Sequence, residues 1–134
     1  GRTFDSICCI YPTAPFVTGE RLRESMDLLR SSNVDSVIPV VKFSYPPQRS
    51  FVIQNNKLVM KYAEHLTTRS QDLESWYHDC GQYYCIKTQS FLEHNEILTT
   101  NTVPFVLTEI EVQDIDTEED WKLAEMKYRM LYGE

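Results

Sequence analysis

An apolar run over residues 6–11 is broken by Pro12 and Pro15, followed by an amphipathic stretch, and then by a second apolar run over residues 36–41. This order constrains the fold more than any other feature of the chain. The first run, Ser6-Ile7-Cys8-Cys9-Ile10-Tyr11, lacks polar alternation, which predicts a strand covered on both faces. Thr18 and Gly19 open a helix whose Leu22, Met26 and Leu29 recur at the spacing of one core-facing stripe, and Ser31-Ser32-Asn33 ends it. The second run reads as a strand, with Pro39 placing it near an edge or bulge. Strand, helix, strand is a βαβ unit, and such units build mainly parallel sheets.

Beyond residue 45 the pattern changes. Tyr45-Pro46-Pro47-Gln48-Arg49 is extended and stiffened by proline, and two apolar triplets flank Gln54-Asn55-Asn56-Lys57, a hairpin signal with asparagine in the turn. Residues 62–79 are polar and aromatic without a clear period. Long ordered connections of this kind are usually functional or interfacial. Gly81 precedes a strand over 82–87, a short helix is expected near 89–93, and a strand near 103–107 contains Pro104. A short strand over 112–114 is expected before a last helix that carries Trp121, Ala124, Tyr128 and Leu131 on one face.

The chemistry concentrates in the run Val112-Gln113-Asp114-Ile115-Asp116-Thr117-Glu118-Glu119-Asp120-Trp121. In extended backbone, residues i and i+2 point the same way, so Asp114 and Asp116 would face one side. Two such carboxylates suit Mg²⁺, which leaves its remaining positions to water and substrate phosphates. Thr117 with Asp120 three residues on is a capping-box pattern, which places the pair where a helix begins. The plainer reading is acidic decoration of a helix N-terminus.

With 134 residues, 42% hydrophobic and 25% charged, the chain is long enough for one domain with its own core. The net charge of −7 argues against a polyanion or anionic-membrane binder, since either needs a basic face. No apolar run approaches the ~20 residues of a membrane span. Cys8, Cys9, Cys80 and Cys85 form no C-x-x-C pair and have no matching histidines. Reduced, buried thiols in a cytoplasmic protein are therefore expected, without a zinc site.

Four segments together carry a resemblance: Tyr11-Pro12-Thr13-Ala14-Pro15-Phe16, Thr68-Arg69-Ser70-Gln71-Asp72, Gly81-Gln82-Tyr83-Tyr84 and Asp114-Ile115-Asp116-Thr117. Taken in this order, the chain resembles the CMP-sugar synthetases of nonulosonic acids over essentially its whole length. The pseudaminic acid branch is the nearer, and the N-acetylneuraminate branch, with glutamine where Tyr11 stands, the more distant. The resemblance implies a Rossmann-like three-layer α/β nucleotidyltransferase fold with a mainly parallel sheet and a protruding dimerisation hairpin. Residues 1–134 would form a single partial domain, with 45–79 as an arm inserted in it. The glycine- and basic-rich loop with which the family cradles the triphosphate has no counterpart here. The chain is thus expected to be a C-terminal portion, inactive alone, of an enzyme.

The implied reaction joins CTP and an acidic nine-carbon sugar, releases pyrophosphate and requires Mg²⁺ on Asp114 and Asp116. Arg49 and Arg69 would meet the sugar carboxylate, a role suited to the guanidinium fork. Tyr84 and Gln82 would contact the sugar, and Tyr11, Pro12 and Thr13 would shape the loop beneath it. Each has a plainer reading: a surface ion pair for the arginines, strand packing for Tyr84 and a solvent-facing position for Gln82. His78, beside Asp79, would bind an acidic group or satisfy a local hydrogen bond. The resemblance further implies a homodimer, with Trp76 and Tyr77 of the arm as anchors. Two other readings stand beside this one: the same chemistry on N-acetylneuraminate, and a non-catalytic dimerisation or sugar-binding module.

Overall fold

The computed structural model describes residues 1–133 and is a mixed α/β structure. It divides into two compact units, one holding residues 1–41 and 79 onward, the other Lys42–His78.

In the first unit, strand β1 (Ser6–Ile10) leads through helix α1 (Gly19–Ser31) to β2 (Ser36–Lys42). Thr18 caps α1, its hydroxyl accepting the Arg21 N–H at 3.3 Å. Strand β6 (Tyr83–Lys87) runs into helix α2 (Thr88–His94), and β7 (Thr102–Leu107) is followed by a 3₁₀ turn (Glu109–Glu111) and helix α3 (Glu118–Tyr132). Between them in sequence, the second unit contains β3 (Phe51–Gln54), β4 (Lys57–Met60) and most of β5 (Tyr77–Asp79).

The mainly parallel sheet expected from the βαβ order is not what these strands form. β6 pairs antiparallel with β1 along its whole length and antiparallel with β2 at Ser36 and Val37. Only β2 and β7 form a described parallel pair, from Ser36↔Thr102 to Val41↔Leu107. β1 and β2 run the same way, but β6 lies between them. A strand–helix–strand order specifies direction through the crossover; it does not say which later strand fills the gap.

Position in the sheet also corrects the expectation for β1. It ends the strand order β1-β6-β2-β5, so Ile7 and Ile10 are 41% and 49% exposed rather than covered on both faces. Pro39 does not lie in an edge strand, since β2 pairs with both β6 and β7. It is fully buried within β2, opposite Phe105 of β7. Because pairing with β6 ends at Val37, no β6 partner faces the N–H that proline lacks.

The core gathers Leu29 of α1, Val34, Val37, Tyr83 and Cys85, with Leu22, Met26 and Cys8 packed against it. The α1 stripe therefore faces the sheet, and complete burial of a side chain such as Leu29 contributes about 1.5–3 kcal/mol. Inside this core Tyr83 and Ser25 share a hydroxyl hydrogen bond of 2.8 Å. A second cluster, Val41, Cys80, Leu107 and Val112, closes the end of the sheet near the last turn. The face expected on α3 buries only Ala124, while Trp121 and Tyr128 are exposed.

All four cysteines are free thiols, with Cys80 and Cys85 buried, Cys8 partly covered and Cys9 exposed. Burial pushes the Cys80 and Cys85 thiols up to about 12. Among the described residues no helix is long and apolar enough to cross a membrane.

In the second unit β3 and β4 pair antiparallel around Asn55 and Asn56, whose φ values of 51° and 59° lie in the left-handed region that a two-residue hairpin turn requires. The stretch expected to be without period contains two short 3₁₀ turns, Ala63–His65 and Ser70–Asp72, before β5.

Candidate functional site

At the end of β1 the Tyr11 N–H donates to the Gln82 carbonyl at 2.8 Å, carrying the β1–β6 pairing one step past the strands. Cys9 lies opposite Tyr84, so Tyr11 and Tyr84 are diagonal neighbours on one face. Their rings meet edge to face, 5.5 Å apart at 70°. Tyr84 is 8% exposed, and its hydroxyl donates to Oδ2 of Asp79 at 2.5 Å. The other oxygen of Asp79 accepts the Gly81 N–H at 2.8 Å, closing a tight turn in which Gly81 has φ +62°. Burial is the largest cause that raises the Tyr84 phenol above its ordinary value, and the hydrogen bond to Asp79 adds to it. Tyr84 therefore stays protonated across the physiological range.

Asp114 stands against this turn. A Cβ placed on Gly81 would lie 3.3 Å from Cγ of Asp114 and 3.4 and 3.5 Å from its two oxygens. The carboxylate thus rests against the bare backbone of Gly81, where a side chain would crowd it. The segment bearing it is not the expected strand over 112–114. The 3₁₀ turn Glu109–Glu111 precedes it, and two long side chains take backbone carbonyls there in place of a neighbouring strand. Gln82 Nε2 donates to the Glu111 carbonyl at 2.8 Å, and Lys127 Nζ to the Val112 carbonyl at 2.6 Å. Arg21 of α1 holds the Glu111 carboxylate with two contacts of 2.9 and 2.8 Å.

The capping box at α3 is present as expected. Thr117 Oγ1 accepts the Asp120 N–H at 3.2 Å, while the Asp120 carboxylate accepts from Thr117 N at 2.9 Å and Asp116 N at 3.1 Å. The Thr117 hydroxyl, then these two backbone N–H groups, hold Asp120 below the usual carboxylate range. Asp120 is thereby committed to the cap. Asp114 and Asp116 lie just before it, both exposed.

No group of three or more His, Cys, Asp or Glu among the described residues is arranged to hold a metal ion. A pair of exposed carboxylates, one seated on a glycine, fits a cation that takes one or two protein oxygens and fills its shell with water and phosphate. The same pair is a poor fit for zinc, which wants three or four nitrogen and sulfur ligands.

Other expected positions are distributed as follows. Pro12 and Thr13 form an exposed turn directly after β1, next to Tyr11. Gln82, expected to meet a sugar hydroxyl or solvent, is only 2% exposed and is engaged by its amide in positioning Glu111. Arg49 and Arg69 belong to the Lys42–His78 unit. Arg69 is largely exposed and pairs with Asp72 at 2.9 Å. His78 meets Phe43 at a tilt of 55° with ring centroids 4.8 Å apart, and Trp76 meets Tyr62 edge to face at 6.2 Å. Sequence reasoning passed over Asp79 and Gly81 as site residues. An aspartate two residues before a glycine, at the mouth of a strand, is the turn signal that marks them.

No family model matches the chain. It is 33% identical over 130 residues to pseudaminic acid cytidylyltransferase of Campylobacter jejuni, covering 96% of this chain and 56% of that protein. The bifunctional "Pseudaminic acid cytidylyltransferase and UDP-2,4-diacetamido-2,4,6-trideoxy-beta-L-altropyranose hydrolase" of Helicobacter pylori is 37% identical over 112 residues, 83% of this chain and 22% of that one. CMP-N,N'-diacetyllegionaminic acid synthase of Legionella pneumophila is 30% identical over 131 residues, 91% of this chain and 53% of the other. Homologues at 33–37% identity that cover most of this chain are thus named for pseudaminic acid cytidylyl transfer. The chain spans about half the length of the Campylobacter and Legionella relatives it matches.

Proposed function

We propose that this chain is the C-terminal portion of a cytidylyltransferase that joins CMP from CTP to a nonulosonic acid, with pseudaminic acid favoured, and releases pyrophosphate. The observation that carries the reading is the seating of Asp114 on Gly81, beside the Tyr11–Tyr84 wall, within one compact unit. A sugar held against the tyrosines then has a carboxylate pair near its reacting end. The printed names of the relatives supply the substrate class.

In this reaction the anomeric hydroxyl oxygen bonds to the α-phosphorus, the bond to the bridging oxygen of the β-phosphate breaks, and the hydroxyl proton is lost. Little covalent work falls to the protein, so alignment and charge neutralisation dominate. Asp114 and Asp116 would hold Mg²⁺, which supplies Lewis-acid neutralisation of phosphate charge. Tyr11 and Tyr84 orient the sugar, and Pro12 and Thr13 shape the loop under it. Gln82 acts from behind, by fixing the segment that leads to Asp114. Within the Lys42–His78 unit, Arg49 and Arg69 offer guanidinium groups of the kind that suits a carboxylate.

The Lys42–His78 unit serves as the dimerisation arm in this reading. Its exposed Phe51, Ile53, Leu58 and Leu66 support that role, because large apolar groups in contiguous patches mark interfaces. Free thiols support a cytoplasmic setting.

The test uses the full-length protein with CTP, Mg²⁺ and pseudaminic acid, following pyrophosphate. Turnover is expected, and replacing both Asp114 and Asp116 by asparagine should lower kcat by at least about a hundredfold, the scale seen when a key electrostatic group is removed. Undiminished cytidylylation by the double variant would remove the metal assignment. Rates with N-acetylneuraminate in place of pseudaminic acid decide the sugar; slower turnover is expected.

A further inference from the structure

Cys8 and Cys85, 77 positions apart in the chain, face each other across the β1–β6 ladder. Beyond one end of that ladder the Tyr11 N–H donates to the Gln82 carbonyl, and beyond the other the Thr88 N–H donates to the Asp5 carbonyl. Hydrogen-bonded pairs alternate along an antiparallel ladder, so Asp5, Ile7, Cys9 and Tyr11 hold hydrogen-bonded positions and Cys8 a non-hydrogen-bonded one. At such a position the two Cα atoms stand about 4.5 Å apart and the side chains come closest. That spacing lies within the range of about 4.4–6.8 Å that a disulfide spans. The two sulfurs are already 3.7 Å apart, so side-chain rotation alone brings them to the bond length of about 2 Å.

The other two thiols stand apart from this pair. Cys9 follows Cys8 in extended backbone and so points to the opposite face of the sheet. Cys80 belongs to the second core cluster, with Val41, Leu107 and Val112. Cys85 is fully buried beside Leu29, Val37 and Tyr83, whereas Cys8 is only partly covered. Cys8 is therefore the sulfur that a small solute reaches first.

We infer that Cys8 and Cys85 are an oxidation site, at which hydrogen peroxide converts the thiol pair into a cross-strand disulfide tying β1, the strand that ends the sheet, to β6 inside it. The Cys8 sulfur attacks one peroxide oxygen, the O–O bond breaks, and the displaced hydroxide leaves as water with the Cys8 proton. Cys8 then carries a sulfenic hydroxyl. The Cys85 sulfur attacks the Cys8 sulfur, the S–O bond breaks, and the second hydroxide leaves as water with the Cys85 proton. Two thiols thus lose two electrons and two protons, and one peroxide becomes two waters. A dithiol reductant reverses the bond by exchange.

The thiolate is the attacking form, and apolar surroundings favour the thiol, so the first step is slow. The pair therefore rests as two thiols and responds to excess peroxide. The bond closes a long loop of the unfolded chain, which favours the folded state. It also lies one rung from the Cys9–Tyr84 pair, and so holds the strand that leads to Tyr11 against the strand that bears Tyr84. None of this rests on the cytidylyltransferase reading.

The test treats the folded full-length protein with excess hydrogen peroxide, removes the oxidant, alkylates the remaining thiols and digests without reductant. Mass spectrometry is expected to find the Cys8 and Cys85 peptides joined, lighter by two hydrogen atoms than their sum. In urea unfolding the ratio of folded to unfolded protein should rise at least about tenfold on oxidation, and dithiothreitol should return it to its starting value. Cys8→Ser should lose this gain, and Cys9→Ser should keep it. Cys8 and Cys85 recovered unjoined, Cys85 joined to a different cysteine, or the same gain in Cys8→Ser would each overturn the inference. The peptide map needs no variant, so it decides even where Cys8→Ser fails to fold.

Discussion

The Cβ that Gly81 lacks would stand 3.3 Å from Cγ of Asp114, so any side chain there would press the carboxylate of a distant segment out of place by a few tenths of an ångström. Gly81 also has φ +62°, a conformation that costs a side-chain-bearing residue about 1–2 kcal/mol. Gly81→Ala is therefore expected to destabilise the fold by roughly that amount. It should also weaken Mg²⁺-dependent turnover of the full-length protein beyond what the lost stability explains. Denaturant unfolding and a Mg²⁺ titration of turnover, run on the same variant, separate the two effects.

Tyr83 and Ser25 bury their hydroxyls against each other at 2.8 Å, with both residues 0% exposed. Tyr83→Phe leaves the serine hydroxyl without this partner in the core. A loss of about 1–3 kcal/mol is expected in urea unfolding. Replacing both, with Ser25→Ala added, should cost less than the sum of the two single changes. Strict additivity would mean that the pair does not act as a unit.

Glu111 links acid stability to the segment that places Asp114. Burial raises its pKa, but hydrogen bonds from the Thr108 hydroxyl and N–H, and from Arg21, more than offset this and hold it below 4.5. With the folded value depressed, its contribution is fully present above the unfolded value and disappears as pH falls through the folded one. Unfolding midpoints should therefore drop as pH falls below about 4.5, the region where the unfolded group takes up its proton first. Glu111→Gln should flatten that part of the profile. It should also cost up to about 1 kcal/mol at neutral pH, a modest figure because Arg21 is partly exposed to screening solvent.

Asn55 and Asn56 both hold φ values above +50° in the β3–β4 turn. Asn56→Ala should destabilise the hairpin by about 1 kcal/mol, whereas Asn56→Gly should be neutral or slightly stabilising. Amide hydrogen exchange of Val52 and Val59, paired across the hairpin, reads this directly. Equal protection in the two variants would show that the turn does not govern the pairing.

Much of the local structure was legible. Proline and glycine punctuation, the Thr18 cap, the Thr117–Asp120 capping box and the asparagine turn are decided by residues within four positions of one another. Their hydrogen bonds form wherever the rest of the chain goes. The α1 stripe was legible for the same reason, since helical periodicity shows which residues share a face.

Adjacency was not legible. No local pattern reports that β6 enters between β1 and β2, that Pro39 lies where β6 no longer pairs, or that the apolar run of β1 ends the sheet. Residues 112–114 have the composition of a strand, yet Gln82 and Lys127 take two of the carbonyls that a ladder would have used. Gln82 looked like a surface contact residue because its partner is 29 positions away.

The sequence by itself determined the main helices and strands, the asparagine turn, and where the acids stand relative to a helix start. All of that follows from backbone sterics and short-range hydrogen bonding. Tertiary structure alone decided that Asp114 rests on Gly81 and that Asp79 anchors Tyr84 behind Tyr11. The first is a meeting of segments far apart in the chain, and the second depends on how β6 lies against β1. Contacts of that kind are fixed only when the sheet closes and the core behind it fills.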